Sequence, residues 1–152
     1  MDLDNLYTDV DLLLENVDYL ISSRDIPGRL TAECDLKRAL PALQRRYGSL
    51  LTAATLGHDG VLAWDGVQFH YASAYRIQAV DTTGAGDIFA GFIYGLLQGW
   101  PLQRQLDFAG AAAALNCTAV GARGGIHSIE RIEAFMATGF RYAPVFDLSR
   151  TT

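Results

Sequence analysis

The chain carries only two cysteines, Cys34 and Cys117, in 152 residues. They lie far apart in unrelated contexts, which argues against a disulfide framework or a cysteine-built zinc site and fits a reducing cytoplasm. The three histidines, His58, His70 and His127, are scattered without ligand spacing, so a zinc site has no other source. Basic runs are missing as well. Twelve Lys and Arg stand against seventeen Asp and Glu, a formal charge of −5, and no stretch could track a phosphate backbone, so nucleic acid is not an expected partner. No apolar run approaches bilayer-spanning length, and Met1-Asp2-Leu3-Asp4-Asn5 is acidic where a signal peptide is basic and then apolar. The expectation is a soluble, cytoplasmic protein with no membrane partner.

Half of the residues are hydrophobic, enough for one core and too few residues to promise two, so residues 1–152 are expected to form one domain. Val17 to Ser23 reads as a buried strand with a short helix before it through Leu12-Leu13-Leu14, and this strand has no visible predecessor. Leu30 to Tyr47 spaces Leu36, Leu40 and Leu43 as a helix that Pro41 kinks or divides. Leu50 to Leu56 is a second strand, and Val61 to Trp64 and Val67 to Tyr71 flank an Asp65-Gly66 turn as a hairpin. Ile88, Phe89, Phe92, Ile93, Leu96 and Leu97 share one helical face, and Gly99 with Pro101 ends that helix. An alanine-rich helix from Leu102 to about Cys117 follows, then a last helix capped by Ser128 and carrying Ile132, Phe135 and Met136. The order predicts an α/β layered domain with a mostly parallel sheet. Gly91, Gly95 and Gly99 predict a flattened helix face packed against a neighbour.

The strongest chemical signal is Asp81-Thr82-Thr83-Gly84-Ala85-Gly86-Asp87, a glycine-bearing turn leading straight into an amphipathic helix. Unpaired amides and the helix dipole favour an anion at such a start, so the amides of Gly84, Ala85 and Gly86 are candidates to cradle a phosphoryl group. Asp87, the next residue, is the candidate base for a substrate hydroxyl. The plainer alternative is a strand-to-helix turn with a first-turn carboxylate.

The whole heptapeptide, with its flanking order, resembles the second signature of the ribokinase-like (PfkB) sugar kinases. The resemblance runs from about Val17 to Phe135 and covers only the second half of such a kinase. It implies a ribokinase-like three-layer α/β/α fold of which this is the carboxy-terminal portion, with the amino-terminal half and lid not recognisable. Thr55-Leu56-Gly57-His58-Asp59-Gly60 resembles the family's T-x-G-x-x-G segment, which makes Thr55, Gly57 and Gly60 nucleotide-binding candidates beside Gly86. Gly110 to Asn116 corresponds to the part that borders adenine, with Gly110 and Ala114 as candidates; the same residues also serve a closely packed helix.

The family's potassium positions fall on Asp81, Thr83, Asn116, Ala119, Gly121 and Gly125. Where many relatives carry N-x-x-E for magnesium, this chain reads Ser22-Ser23-Arg24-Asp25, an S-x-x-D pattern similar to the ketohexokinase branch, so Asp25 is the candidate for Mg2+ through water. A polar loop after a strand is the alternative. His127 stands where relatives often have proline. The resemblance therefore implies transfer from ATP to a sugar-like hydroxyl, with Mg2+ as cofactor, K+ as a candidate ion and a homodimer as a candidate assembly. The competing class is a nucleotide-binding or structural fragment without turnover. A Rossmann dehydrogenase fails for want of G-x-G-x-x-G after a strand.

Overall fold

The computed structural model describes residues 1–82, 88–121 and 125–148. Its residues group into two units, one made of Met1–Leu56 with Leu62–His70 and the other of Gly57–Val61 with the described residues from Tyr71 on.

The first unit is built on parallel strands. β1 (Asp2–Leu3) is followed by α1 (Val10–Leu14), β2 (Tyr19–Ser23), α2 (Ile26–Thr31), α3 (Leu36–Tyr47) and β3 (Leu51–Thr55). β1 pairs parallel with β2, and β2 parallel with β3, in a register that sets Tyr19 opposite Leu51 and Ser23 opposite Thr55. Leu20, Ile21 and Ser22 are buried in succession, as are Leu51 to Ala54. Continuous burial of this kind belongs to a parallel strand covered on both faces and not to an alternating one. β4 (Val61–Trp64) and β5 (Phe69–Ala72) complete a five-stranded sheet in the order β1-β2-β3-β4-β5.

Three departures from the expected elements have clear causes. The first expected strand does have a predecessor, β1, but two residues are too short to show any hydrophobic period. The stretch expected to be helical from Leu30 instead holds the end of α2 and then α3, separated by Ala32 at φ 58 and capped anew where Asp35 accepts the amide of Lys37 at 2.9 Å. Pro41 does not divide α3, which runs unbroken from Leu36 to Tyr47. The hairpin closes later than expected, through an Asp65 amide bond to the Gln68 carbonyl at 3.3 Å, which moves β5 on to Phe69.

The second unit is helical: α4 (Ile88–Leu97), α5 (Leu102–Asn116) and α6 (Ile129–Thr138). Gly91 and Gly95 do form a flattened face, since a Cβ on Gly91 would lie 2.8 Å from the Ala109 Cα and one on Gly95 3.1 Å from the Gln105 side chain. Gly99 does not belong to it; at φ 66, with open space where a Cβ would point, it ends the helix in the left-handed conformation. Leu97 is likewise off the buried face at 77% exposure. Tyr75, Phe108, Ala111, Leu115 and Ile132 make the core, joined by Tyr94, Trp100 and Phe135. Ser128 caps α6 by accepting the Arg131 amide at 3.4 Å. Both cysteines are free, Cys34 exposed and Cys117 buried. Among the described residues no helix is long and apolar enough to cross a membrane.

Candidate nucleotide and phosphoryl-transfer site

Thr83, Gly84, Ala85, Gly86 and Asp87 lie outside the described residues, so the candidate base and anion cradle are known by their flanks. On the near flank, the amides of Val80 and Asp81 both donate to the Cys117 carbonyl, at 2.8 and 3.3 Å, and the Asp81 carboxylate accepts the Gly121 amide at 2.8 Å. On the far flank α4 starts at Ile88.

Around Asp81 the second unit gathers most of the residues expected to hold potassium. Asn116 is only 2% exposed, and its side-chain oxygen accepts the Gly125 amide at 3.0 Å. Any Cβ on Gly125 would sit 2.4 Å from the Asn116 Cα, so glycine is obligatory there. The Asn116 carbonyl faces the Ala119 amide at 3.5 Å, and Gly121 turns at φ 80. Asp81 with Gly121, and Asn116 with Ala119 and Gly125, are thus linked by hydrogen bonds at and just beyond the end of α5.

The nucleotide candidates fall in both units. In the second, Gly57 (φ 62) and Gly60 (φ 100) bound a single 3-10 turn closed by the Gly60 amide on the Gly57 carbonyl at 3.1 Å. A Cβ on Gly60 would lie 2.0 Å from the Ala72 carbonyl oxygen, so this glycine is required by close backbone approach. Gly110 and Ala114 share one face of α5, and a Cβ on Gly110 would meet open space. The opposite face, through Phe108, Ala112 and Asn116, borders a cavity of about 320 Å³ that also takes in Gly91, Tyr94 and His127. In the first unit, Thr55 ends β3 with its hydroxyl on the Ser22 carbonyl at 3.3 Å.

Asp25 follows β2 and is already engaged. Its carboxylate meets Arg29 at 3.1 Å and accepts the Ser23 hydroxyl at 3.2 Å. The Arg29 contact is the main reason its carboxyl is held below the usual carboxylate range. Among the described residues no three His, Cys, Asp or Glu side chains group as a metal site.

Sequence reasoning missed Arg141 altogether. Its guanidinium bonds Asp107 at 2.7 Å, the Ser73 carbonyl at 3.3 Å and the Tyr75 hydroxyl at 2.5 Å. Nothing in Phe140-Arg141-Tyr142-Ala143-Pro144 announces this, because the partners are 34 to 68 residues away.

Residues 3–129 match the family model for pfkB family carbohydrate kinases. The chain belongs to that family. Among its carbohydrate-kinase relatives, the ATP-dependent 6-phosphofructokinase of Thermoanaerobacterium thermosaccharolyticum is 34% identical over 127 residues, 80% of this chain and 38% of that protein. Two solved structures share the fold. One is the ribokinase of Arabidopsis thaliana complexed with ribose and ATP (TM-score 0.78, 26% identity, 89% of this chain and 46% of that one). The other is a protein assigned as ribokinase II from E. coli, in complex with ATP and Mg2+ (TM-score 0.79, 25% identity, 84% and 42%). The chain thus spans less than half the length of each of these relatives. The ribokinase-like α/β fold with its mostly parallel sheet stands as expected.

Proposed function

We propose that this chain is the nucleotide-binding half of an ATP-dependent sugar kinase, in which Asp87 is the general base for a hydroxyl of a sugar or sugar-like alcohol. The observation that carries the reading is the heptapeptide Asp81 to Asp87 in a member of the pfkB family, with its first residue fastened by backbone and carboxylate to the end of α5.

Phosphoryl transfer asks little covalent chemistry of a protein and much positioning. The amides of Gly84, Ala85 and Gly86 would bind the oxygens of the transferring group, helped by the start of α4 at the very next residue after Asp87. Asp87 would orient the attacking hydroxyl and take its proton as the γ-phosphoryl leaves ATP. Thr55, Gly57, Gly60 and Gly86 would flank the nucleotide, with Gly110 and Ala114 leaving room for adenine. The open space at Gly110 supports that role.

Potassium suits the oxygens of Asp81, Asn116 and their neighbours, with Thr83 as a further ligand. Asp25 suits only an indirect, water-mediated hold on magnesium, because Arg29 already occupies part of it. A divalent ion on the nucleotide supplies neutralisation of phosphate charge. The relatives' complexes with ATP, Mg2+ and ribose support the same ligand classes here. A cytoplasmic location fits them.

Calorimetry and amide shifts with a non-hydrolysable ATP analogue test the reading. Shifts should cluster in residues 55–60, 84–87 and 110–116; shifts confined to the first forty residues would contradict it. A second reading is nucleotide binding without turnover. Assaying residues 1–152 with ATP, Mg2+ and a panel of sugars separates the two, since sugar-dependent ADP release excludes the second.

A further inference from the structure

Beyond α6 the chain turns back along the segment that follows β5, whose first residue, Ser73, lies with Ala72 against Gly60. The Arg76 amide donates to the Phe140 carbonyl at 2.7 Å and the Tyr142 amide to the Ala74 carbonyl at 2.9 Å, around an antiparallel bridge between Tyr75 and Arg141. Arg141 anchors this segment. Its guanidinium spans Asp107, the Ser73 carbonyl and the Tyr75 hydroxyl, and lies 4.2 Å from the centre of the Tyr75 ring. Both carboxylate and guanidinium are largely covered, at 23% and 30% exposure, where charge-assisted bonds hold well.

The segment also reaches the turn itself. Tyr71 donates its hydroxyl to the Asp59 carbonyl and accepts the Val145 amide at 3.3 Å, while its ring meets Phe146 at 5.5 Å. The Tyr142 ring stands edge-on to His58, 6.1 Å between centres. Gly60 rests directly on the backbone of Ala72 and Ser73, and Ser73 is the residue whose carbonyl Arg141 holds. Without such support the turn has little to fix it. It is one 3-10 turn bounded by two glycines at positive φ, with open space where a Cβ on Gly57 would point and a His58 side chain 79% exposed. Glycine loses more freedom on ordering than any other residue, so a turn of this kind binds well only if something else pre-orders it.

We infer that residues 140–146 are a positioning strap for the Gly57–Gly60 turn, anchored by Arg141, and that nucleotide affinity depends on the strap through the turn. The second half of this statement rests on the proposed nucleotide reading. Arg141 is a positioning residue and takes no part in the chemistry.

The test uses the full 152-residue chain and three variants: Arg141→Gln, Arg141→Lys and the milder Tyr71→Phe, which keeps the ring and deletes only the hydroxyl between Asp59 and Val145. Circular dichroism first fixes conditions in which each compared protein is folded. Hydrogen exchange is then read at residues 57–60 and, as a control, at the α3 amides, and ATP affinity is read by calorimetry. Arg141→Gln should speed exchange in the turn and weaken ATP binding, each roughly tenfold, the scale of a lost charge-assisted hydrogen bond, with α3 unmoved. Arg141→Lys should recover part of both, since an ammonium can meet Asp107 but cannot fork to three acceptors. Tyr71→Phe should move both in the same direction by less. Unchanged turn exchange, or unchanged ATP affinity, in a folded Tyr71→Phe or Arg141→Gln protein overturns the strap while leaving the nucleotide reading intact. An unaltered chain that binds no ATP removes that reading, and the strap's role in affinity with it.

Discussion

Each of the two units packs its own interior by different means. In the first, aliphatic side chains do the packing: Leu3, Val10, Leu14, Leu20, Ile26 and Leu43 form one cluster, closed by Tyr47. In the second, aromatic rings dominate, with Tyr94, Trp100 and Phe108 in mutual contact and Tyr75 against Phe135. There, too, backbone repeatedly meets backbone where glycine leaves room, at Gly60, Gly91 and Gly125. An aliphatic core asks for a class of residue, and many substitutions of similar volume satisfy it. A close backbone approach asks for one residue and no other. Of the candidate residues, Asp81, Asn116, Gly121 and Gly125 lie in the second unit and are held there by specific bonds, whereas Thr55 and Asp25 lie in the first.

The sharpest way to break this contrast is through catalysis in a complete enzyme containing this chain. On the proposed reading, in which its carboxylate acts on the sugar hydroxyl, Asp87→Asn should cut kcat by roughly 10²–10⁴ or more while leaving ATP affinity nearly unchanged. Asp25→Asn, in the first unit, should cost less than about tenfold, since a water-mediated contact carries less of the transition-state charge. Steady-state kinetics on both variants decides the matter: comparable losses would mean that the first unit shares the chemistry equally.

Glycine substitution gives the next largest difference. Gly48 and Gly60 both have positive φ, at 75° and 100°, but a Cβ would meet nothing within 4 Å at Gly48 and the Ala72 carbonyl at 2.0 Å at Gly60. Gly48→Ala should therefore cost only the left-handed penalty of about 1–2 kcal/mol. Gly60→Ala should cost about 3–5 kcal/mol, the range reached when backbone must move. Urea unfolding at neutral pH measures both, and equal costs would show that conformational strain alone governs these glycines. The buried polar residues repeat the pattern on a smaller scale. Asn116→Ala strands the Gly125 amide and should cost about 1–3 kcal/mol, while Ser22→Ala gives up one hydroxyl bond to the Ala53 carbonyl and should cost about 0.5–1.5 kcal/mol.

How far the sequence spoke depended on the same distinction. β2, β3 and β4 were legible as short apolar runs, α4 and α6 by their helical spacing, α5 by its alanines, and the Ser128 cap because its chemistry is local. β1 was too short to carry a period. α2 was hidden because Ile26-Pro27-Gly28-Arg29 reads as loop, although proline is well tolerated in a first helical turn. In the site, the glycines and Asp81 could be picked out because motif chemistry names residue types, whereas Arg141 could not, since its three acceptors come together only on folding. The open face at Gly110 and the cavity on the other side of α5 are equally products of packing.

Acid should find a weak point in the hairpin of the first unit. Burial raises the pKa of Asp65, but the amides of Gln68 and Val67 and the His70 ring outweigh it, leaving the carboxyl below its ordinary value of 3.8. A carboxyl depressed in the folded state adds stability above its unfolded pKa and loses it as pH falls through the folded one. Urea midpoints should thus drop below about pH 4, and Asp65→Asn should shrink that drop while lowering stability at pH 7. An acid limb unchanged by Asp65→Asn would assign it to other carboxylates.

The smallest expected effect has the opposite sign. Two helices of the first unit end in the left-handed conformation: α3 at Gly48 and α2 at Ala32, with φ 58 and ψ 20. The Ala32 amide still closes on the Gly28 carbonyl at 2.8 Å, so the geometry of the cap is satisfied and only the residue type is wrong for it. An L-residue pays about 1–2 kcal/mol to sit there. Glycine would remove that strain but would also enlarge the unfolded ensemble, at a cost of about 0.4–1 kcal/mol. The difference leaves Ala32→Gly more stable by roughly 0.5–1 kcal/mol. Because Ala32 is exposed, no packing is lost in the exchange. Urea unfolding of Ala32→Gly beside Gly48→Ala makes a paired measurement at two caps of one unit, expected to move in opposite directions. A destabilised Ala32→Gly would mean that unfolded-state entropy, and not strain at the cap, sets the balance in this unit.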